Sequence, residues 1–146
     1  MAKFRYRMQN ILDIKIKLET QAKNAYGAAN RKYIEEQAVL AELMLRRNNY
    51  EKKLKELMTG NINVKDVCNA RNDLNSIKTL VRRQMVEVHK AELVLEEARK
   101  ELSVIMTERK THEKLRENAL SQFLAEERAK ESKEIDELVS FTFNSK

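Results

Sequence analysis

The sequence predicts an all-α fold: two long helices in an antiparallel coiled-coil hairpin, the second overhanging the N-terminus. Three observations carry this. The 146 residues include no proline and only two glycines, Gly27 and Gly60, so little interrupts a helix. Charged residues make up 36% of the chain and aromatics 5%, and Ala, Glu, Lys, Leu and Arg dominate, as in long helices. Apolar residues recur at alternating steps of three and four, the signature of a left-handed coiled coil. Such a chain buries a narrow seam, and residues 1–146 read as a single hairpin.

Helix 1 is expected over about residues 8–58. Its seam runs through Tyr26, Ala29, Tyr33, Glu36, Leu40, Leu43, Arg47, Tyr50, Leu54 and Leu57. Before it, Phe4, Met8, Ile11, Lys15, Leu18, Ala22 and Ala25 form another series. Joining the two needs consecutive steps of four, Ala25 to Ala29 to Tyr33, which is a stutter that locally unwinds a supercoil. Gly27 lies inside it and marks either a bend or a tolerated weak spot, since an interior glycine costs about 1 kcal/mol relative to alanine.

Residues 59–63 read as the turn. Gly60 suits the left-handed position just past a helix end. Asn63 is a good N-cap, and Asp66 falls at the positive end of the next helix dipole. Helix 2 is expected over about 64–139, with a frayed tail beyond. Its seam is Val67, Ala70, Leu74, Ile77, Val81, Gln84, Val88, Ala91, Leu95, Ala98, Leu102 and Ile105, in which only Gln84 is polar. The series then meets Arg109, His112 and Arg116 and reads as fading.

A turn near Gly60 fixes the register. It sets Leu54 near Val67, Leu40 near Val81 and Tyr33 near Val88. The same arithmetic puts Glu36 beside Gln84, a polar layer of the kind that fixes register at some cost in stability. Met8 falls near Glu113, so helix 2 should overhang by roughly twenty-five residues, about 38 Å.

Composition limits the function classes. Net charge is +6, and the basic excess sits in the first third, where Lys3, Arg5, Arg7, Lys15, Lys17, Lys23, Arg31 and Lys32 face Asp13, Glu19 and Glu35. This reads as a solvated surface or as a surface for an acidic partner. Nucleic acid is disfavoured, because acids are interspersed and no basic block leads into a zipper. The lone Cys68 excludes an intramolecular disulfide and fits a reducing compartment. No stretch approaches the ~20 apolar residues of a membrane span, and no apolar segment follows Lys3, Arg5 and Arg7 as in a signal peptide. His89 and His112 lack a ligand cluster and read as surface histidines. With no phosphate loop or nucleophile motif, no catalytic residue, metal or cofactor is expected.

Two surfaces stand out for protein binding. At the chain ends, Phe4, Tyr6, Met8 and Ile11 alternate with Arg5 and Arg7, and the overhang brings Phe123, Ile135 and Leu138 to the same end. Apolar anchors beside charges suit an interface, though Phe4 and Met8 would serve equally to cap the seam. Toward the turn, Val39, Leu43, Arg46 and Tyr50 line one stripe and Asp73, Ile77, Leu80 and Gln84 another. Of these, Arg46, Tyr50, Asp73 and Leu80 are expected to keep exposed surface.

Phe4-Arg5-Tyr6-Arg7-Met8-Gln9-Asn10-Ile11-Leu12-Asp13, with Glu19 and Ala22-Lys23, resembles the start of the flagellar export protein family FliJ. Lys133-Glu134-Ile135-Asp136-Glu137 followed by Phe141 resembles that family's closing segment. The resemblance implies a non-enzymatic cytoplasmic component of the flagellar type III export apparatus, peripheral at the inner face of the cell membrane. FliJ-like proteins resemble the central stalk of rotary ATPases. The implied partners are the export ATPase hexamer, the cytoplasmic domain of the export gate, and export chaperones. On that resemblance, Phe4, Arg5, Tyr6, Arg7, Met8, Ile11, Phe123, Ile135 and Leu138 would meet the ring, and Arg46, Tyr50, Asp73 and Leu80 the gate. The rivals are another coiled-coil chaperone or tether, such as an injectisome stalk or a prefoldin-like hairpin, and a basic nucleic-acid-binding helix. The end motifs favour the flagellar version.

Overall fold

The computed structural model describes residues 2–144. Among them the elements are two helices, α1 (Gln9–Leu57) and α2 (Val64–Asn144), packed against each other as an antiparallel helical hairpin. The connection follows from its residues. Gly60 has φ 76°, and a Cβ there would meet nothing within 4 Å, so backbone conformation and not space selects glycine. Thr59 Oγ1 donates to the Glu56 carbonyl at 2.8 Å, satisfying one of the groups that a helix end orphans. Asn63 Oδ1 accepts from the backbone N–H of Lys65 at 3.1 Å and of Asp66 at 3.5 Å, which caps α2.

Gly27 lies inside the uninterrupted α1, and a Cβ there would make an ordinary 3.6 Å contact with Arg31. The tail differs from expectation: α2 continues past Val139 to Asn144. After Gly60 the chain has no glycine and no proline, so nothing stops the helix from propagating.

The packing divides into two compact units, a turn unit (Ala22–Leu102) and a terminal unit (Met1–Gln21 with Ser103–Lys146). In the turn unit every seam position of α1 from Tyr26 to Leu57, and of α2 from Val67 to Leu102, is buried or half-buried. Ile77 and Val81 are the deepest, each 2% exposed. Burying a side chain of this size stabilises by about 1.5–3 kcal/mol. Alanine supplies several other layers: Ala22, Ala29, Ala70 and Ala91 are all buried.

The start of α1 corrects the sequence reading. Ile11 and Leu18, which the apolar repeat places at the seam, are 37% and 36% exposed, Met8 is 40% exposed, and Ala25 is exposed. Leu12 and Glu19 take their place, at 4% and 5%. Counting back from Tyr26, the seam passes through Ala22, Glu19, Lys15 and Leu12 in unbroken alternate steps, so there is no stutter. A charged side chain can occupy such a position only when paired, and Glu19 is paired.

Candidate protein-binding surfaces

In the terminal unit the seam of α2 does not fade; it becomes polar. Arg109, His112 and Arg116 are half-buried at the positions that continue the repeat after Ile105. Three polar side chains of α1, Gln9, Lys15 and Glu19, have cross-helix partners there. Arg109 Nε donates to Glu19 Oε2 and its Nη1 donates to Glu113 at 2.9 Å. Lys15 Nζ donates to Glu108 at 2.8 Å, and Arg116 Nε to Gln9 Oε1 at 2.9 Å. The hydrogen bond to Glu19, then that to Glu113, pushes the Arg109 pKa further up, fixing its charge. His112 sits inward of the expected surface place, and its Nδ1 is buried without a hydrogen-bond partner.

Residues 2–6 precede α1 as a non-helical leader, and residues 7–8 form the turn into the helix, with Gln9 N donating to the Tyr6 carbonyl at 3.1 Å. From Lys3 to Arg7 the side chains alternate exposed and half-buried, as in an extended segment. Phe4 and Tyr6 turn inward; Lys3, Arg5 and Arg7 turn outward. The Phe4 ring packs on Phe123 with centroids 5.5 Å apart and planes at 50°, and the Arg116 guanidinium lies 5.6 Å from the Phe4 centroid. Ala2 reaches a small apolar groove of about 190 Å³ lined also by Phe123, Leu124, Glu127, Arg128 and Glu131. An extended residue advances ~3.3 Å against ~1.5 Å in a helix. The leader therefore covers more of α2 than helical residues would, and carries Phe4 onto Phe123, seven residues beyond the Arg116 that Gln9 meets. Continuous exposure of α2 begins at Arg128 and runs to Asn144, a shorter overhang than expected.

Of the residues proposed at the chain ends, the structure brings Phe4 and Phe123 together and leaves Arg5 and Arg7 exposed. Ile135 and Leu138 stand 61% and 69% exposed further along α2. The network of Gln9, Lys15, Glu19, Glu108, Arg109 and Arg116 was missed. The signal for it was available, because the α1 repeat counted back from Tyr26 lands on Glu19 and Lys15.

In the turn unit, Gln84 Nε2 donates across the seam to Glu36 Oε2 at 2.5 Å and to the Glu36 carbonyl at 2.9 Å. Lys32 holds the same carboxylate from within α1 at 2.8 Å. The hydrogen bond from Lys32, followed by that from Gln84, holds Glu36 below the usual carboxylate range. On the stripe nearer the turn, Arg46, Asp73 and Leu80 are exposed and Tyr50 is half-buried. Asp73 lines a groove with Lys53, Leu57, Asp66, Asn69 and Ala70.

Among the described residues no cluster of His, Cys, Asp or Glu is placed to hold a metal ion, and no helix is long and apolar enough to cross a membrane. What the units offer is solvent-facing helix surface with apolar side chains set beside charges. Residues 4–146 match the family model described as flagellar FliJ protein. The chain belongs to that family, and with it to the proteins associated with type III protein export. Comparison with curated proteins gives no match. Among solved structures, a YscO homolog, CT670, from Chlamydia trachomatis aligns over 97% of this chain and 96% of its own, with 20% identity and a TM-score of 0.63. At that identity the likeness is one of fold.

Proposed function

We propose that this chain is a non-enzymatic, cytoplasmic stalk of the flagellar type III export apparatus, which binds the export ATPase hexamer through its terminal unit and the cytoplasmic domain of the export gate through its turn unit. Escort of export chaperones is part of the same reading, and attachment at the inner face of the membrane would come through the gate. The observation that carries the ring contact is the leader. Phe4 and Tyr6 anchor it inward, so Lys3, Arg5 and Arg7 project together with no ion-pair partner among the described residues. Three unpaired cations on a segment fastened by aromatics suit a rigid acidic counter-surface, because charge steers approach and a pre-ordered segment loses little entropy on docking. Met8 and Ile11 add exposed apolar area beside them, and Ile135 and Leu138 add more on α2.

The test is the double variant Arg5→Glu, Arg7→Glu, which leaves Phe4 and Tyr6 in place. Stimulation of ATP hydrolysis by the partner ring should be lost while helicity by circular dichroism is unchanged. Full stimulation by the variant would remove the ring contact from this end. A second reading, an injectisome stalk, is favoured by the fold likeness to the YscO homolog. The family match supports the flagellar version.

A further inference from the structure

We infer that the terminal unit is an electrostatic latch that opens and closes on its own while the turn unit stays zipped. This goes beyond the partner reading and does not depend on it. The two units are held by different forces. Among the described residues, Leu12 is the one buried apolar side chain of the terminal unit, whereas the turn unit buries Ala22, Ala29, Ala70, Leu74, Ile77, Val81 and Ala91. Beside the half-buried Phe4, Ile105, Leu120 and Phe123, the terminal unit is held by the pairs Glu19–Arg109, Lys15–Glu108 and Gln9–Arg116. Two of its polar atoms, Tyr6 Oη and His112 Nδ1, are buried with no hydrogen-bond partner, so opening releases them to water.

Salt pulls the two seams in opposite directions. It screens charge pairs, above all those open to solvent, and the Lys15 and Glu108 side chains are 25% and 44% exposed. Apolar burial is not weakened by such screening and is strengthened by excluded salts. Once freed from α2, residues 9–21 stay continuous with the rest of α1 but lose their cross-helix contacts together, so their amides become open to exchange with the separation. On α2 the seam turns from apolar to charged after Ile105, just inside the terminal unit, and on α1 it does so at Glu19, close to the boundary between Gln21 and Ala22.

Hydrogen exchange of the full chain, read by mass spectrometry at about 0.05 and about 0.5 M sodium chloride, tests this. Amides of residues 13–21 should exchange at one common rate that rises at least tenfold at the higher salt, with those of 29–57 and 70–98 unchanged or slower. The double variant Lys15→Leu, Glu108→Leu, which removes the pair most open to solvent, should lose most of the salt response. If that variant fails to fold, the two salt conditions on the unaltered chain decide the matter. A single opening event across both units overturns the latch. So does a graded, salt-independent rise toward Gln9, which is ordinary end fraying.

Discussion

Arg109 donates to a Glu19 carboxylate that is 5% exposed and lies ninety positions away in the chain. The two meet across the helix pair of the terminal unit, at seam positions that a coiled coil normally fills with aliphatic groups. A buried pair of this kind is costly to break from one side and often dispensable when both sides go together. Arg109→Leu alone should therefore lower the melting temperature, because it leaves Glu19 without its cross-helix cation. Replacing both residues with leucine should restore or raise it. Calorimetry of the three proteins checks this, and a double variant no more stable than the single would show that the pair stabilises more than leucine packing can.

The Glu36–Gln84 layer predicts an acid response. Glu36 has its pKa lowered in the folded chain, by Lys32 first and Gln84 second. Its contribution to stability is thus fully present above the ordinary glutamate value of about 4.3, and is lost as pH falls through the lowered folded value. Melting temperature followed from about pH 5 to about pH 3 should fall less steeply in Glu36→Gln than in the parent. Parallel curves would mean that the carboxylate gains nothing from its partners. Leucine at both positions should raise the melting temperature and loosen the register, which cysteine pairs placed there would report by crosslinking.

The two glycines should respond in opposite directions. Gly60→Ala forces a side chain into left-handed backbone and should destabilise by about 1–2 kcal/mol. Gly27→Ala has room for its methyl and should stabilise by about 1 kcal/mol. Urea unfolding resolves both, and a loss at residue 27 would reveal a bend that glycine serves.

Arg46→Ala combined with Leu80→Ala removes exposed groups from the two stripes of the turn unit. Binding to the isolated cytoplasmic domain of the export gate should weaken by tenfold or more, as for truncation of about 1.4 kcal/mol of contact. Circular dichroism should be unaltered. Retained affinity in a titration would move the gate contact elsewhere on the surface.

The turn unit was legible in the sequence for a simple reason. Its seam residues, from Val67 to Leu102, are nearly all aliphatic or alanine, so their spacing reports their burial, and Gly60 alone sets which residues face each other. The start of α1 was not legible by the same rule. Following apolar residues leads to Ile11 and Leu18, yet the seam runs through Leu12 and Glu19. Glu19 pairs with a cation ninety positions away, so its inward position shows only when the repeat is counted back from Tyr26 and not when apolar residues are followed. The leader was hidden for another reason: Phe4 and Met8 fit a helical repeat, and the change to non-helical backbone that sends Phe4 onto Phe123 leaves no mark in spacing. The proposed partner surfaces are harder still, since exposed charge such as Arg5 and Arg46 has the same composition whether it meets water or a protein.

The alanines of the turn unit have a mechanical consequence. Carrying the Glu36–Gln84 pairing along the helices by sevens sets Ala29 against Ala91 and Ala22 against Ala98, and Ala29 and Ala91 do line one common groove. Side chains this small let helix axes approach toward the lower limit of about 8 Å. The stiffness of two joined rods against bending in their common plane grows with the square of their separation. The Ala29–Ala91 layer should therefore be a place where this pair of helices bends readily, two residues from Gly27. Leucine at positions 29 and 91 would widen this waist, and a spin-label distance distribution measured across the stretch should narrow as the girder stiffens.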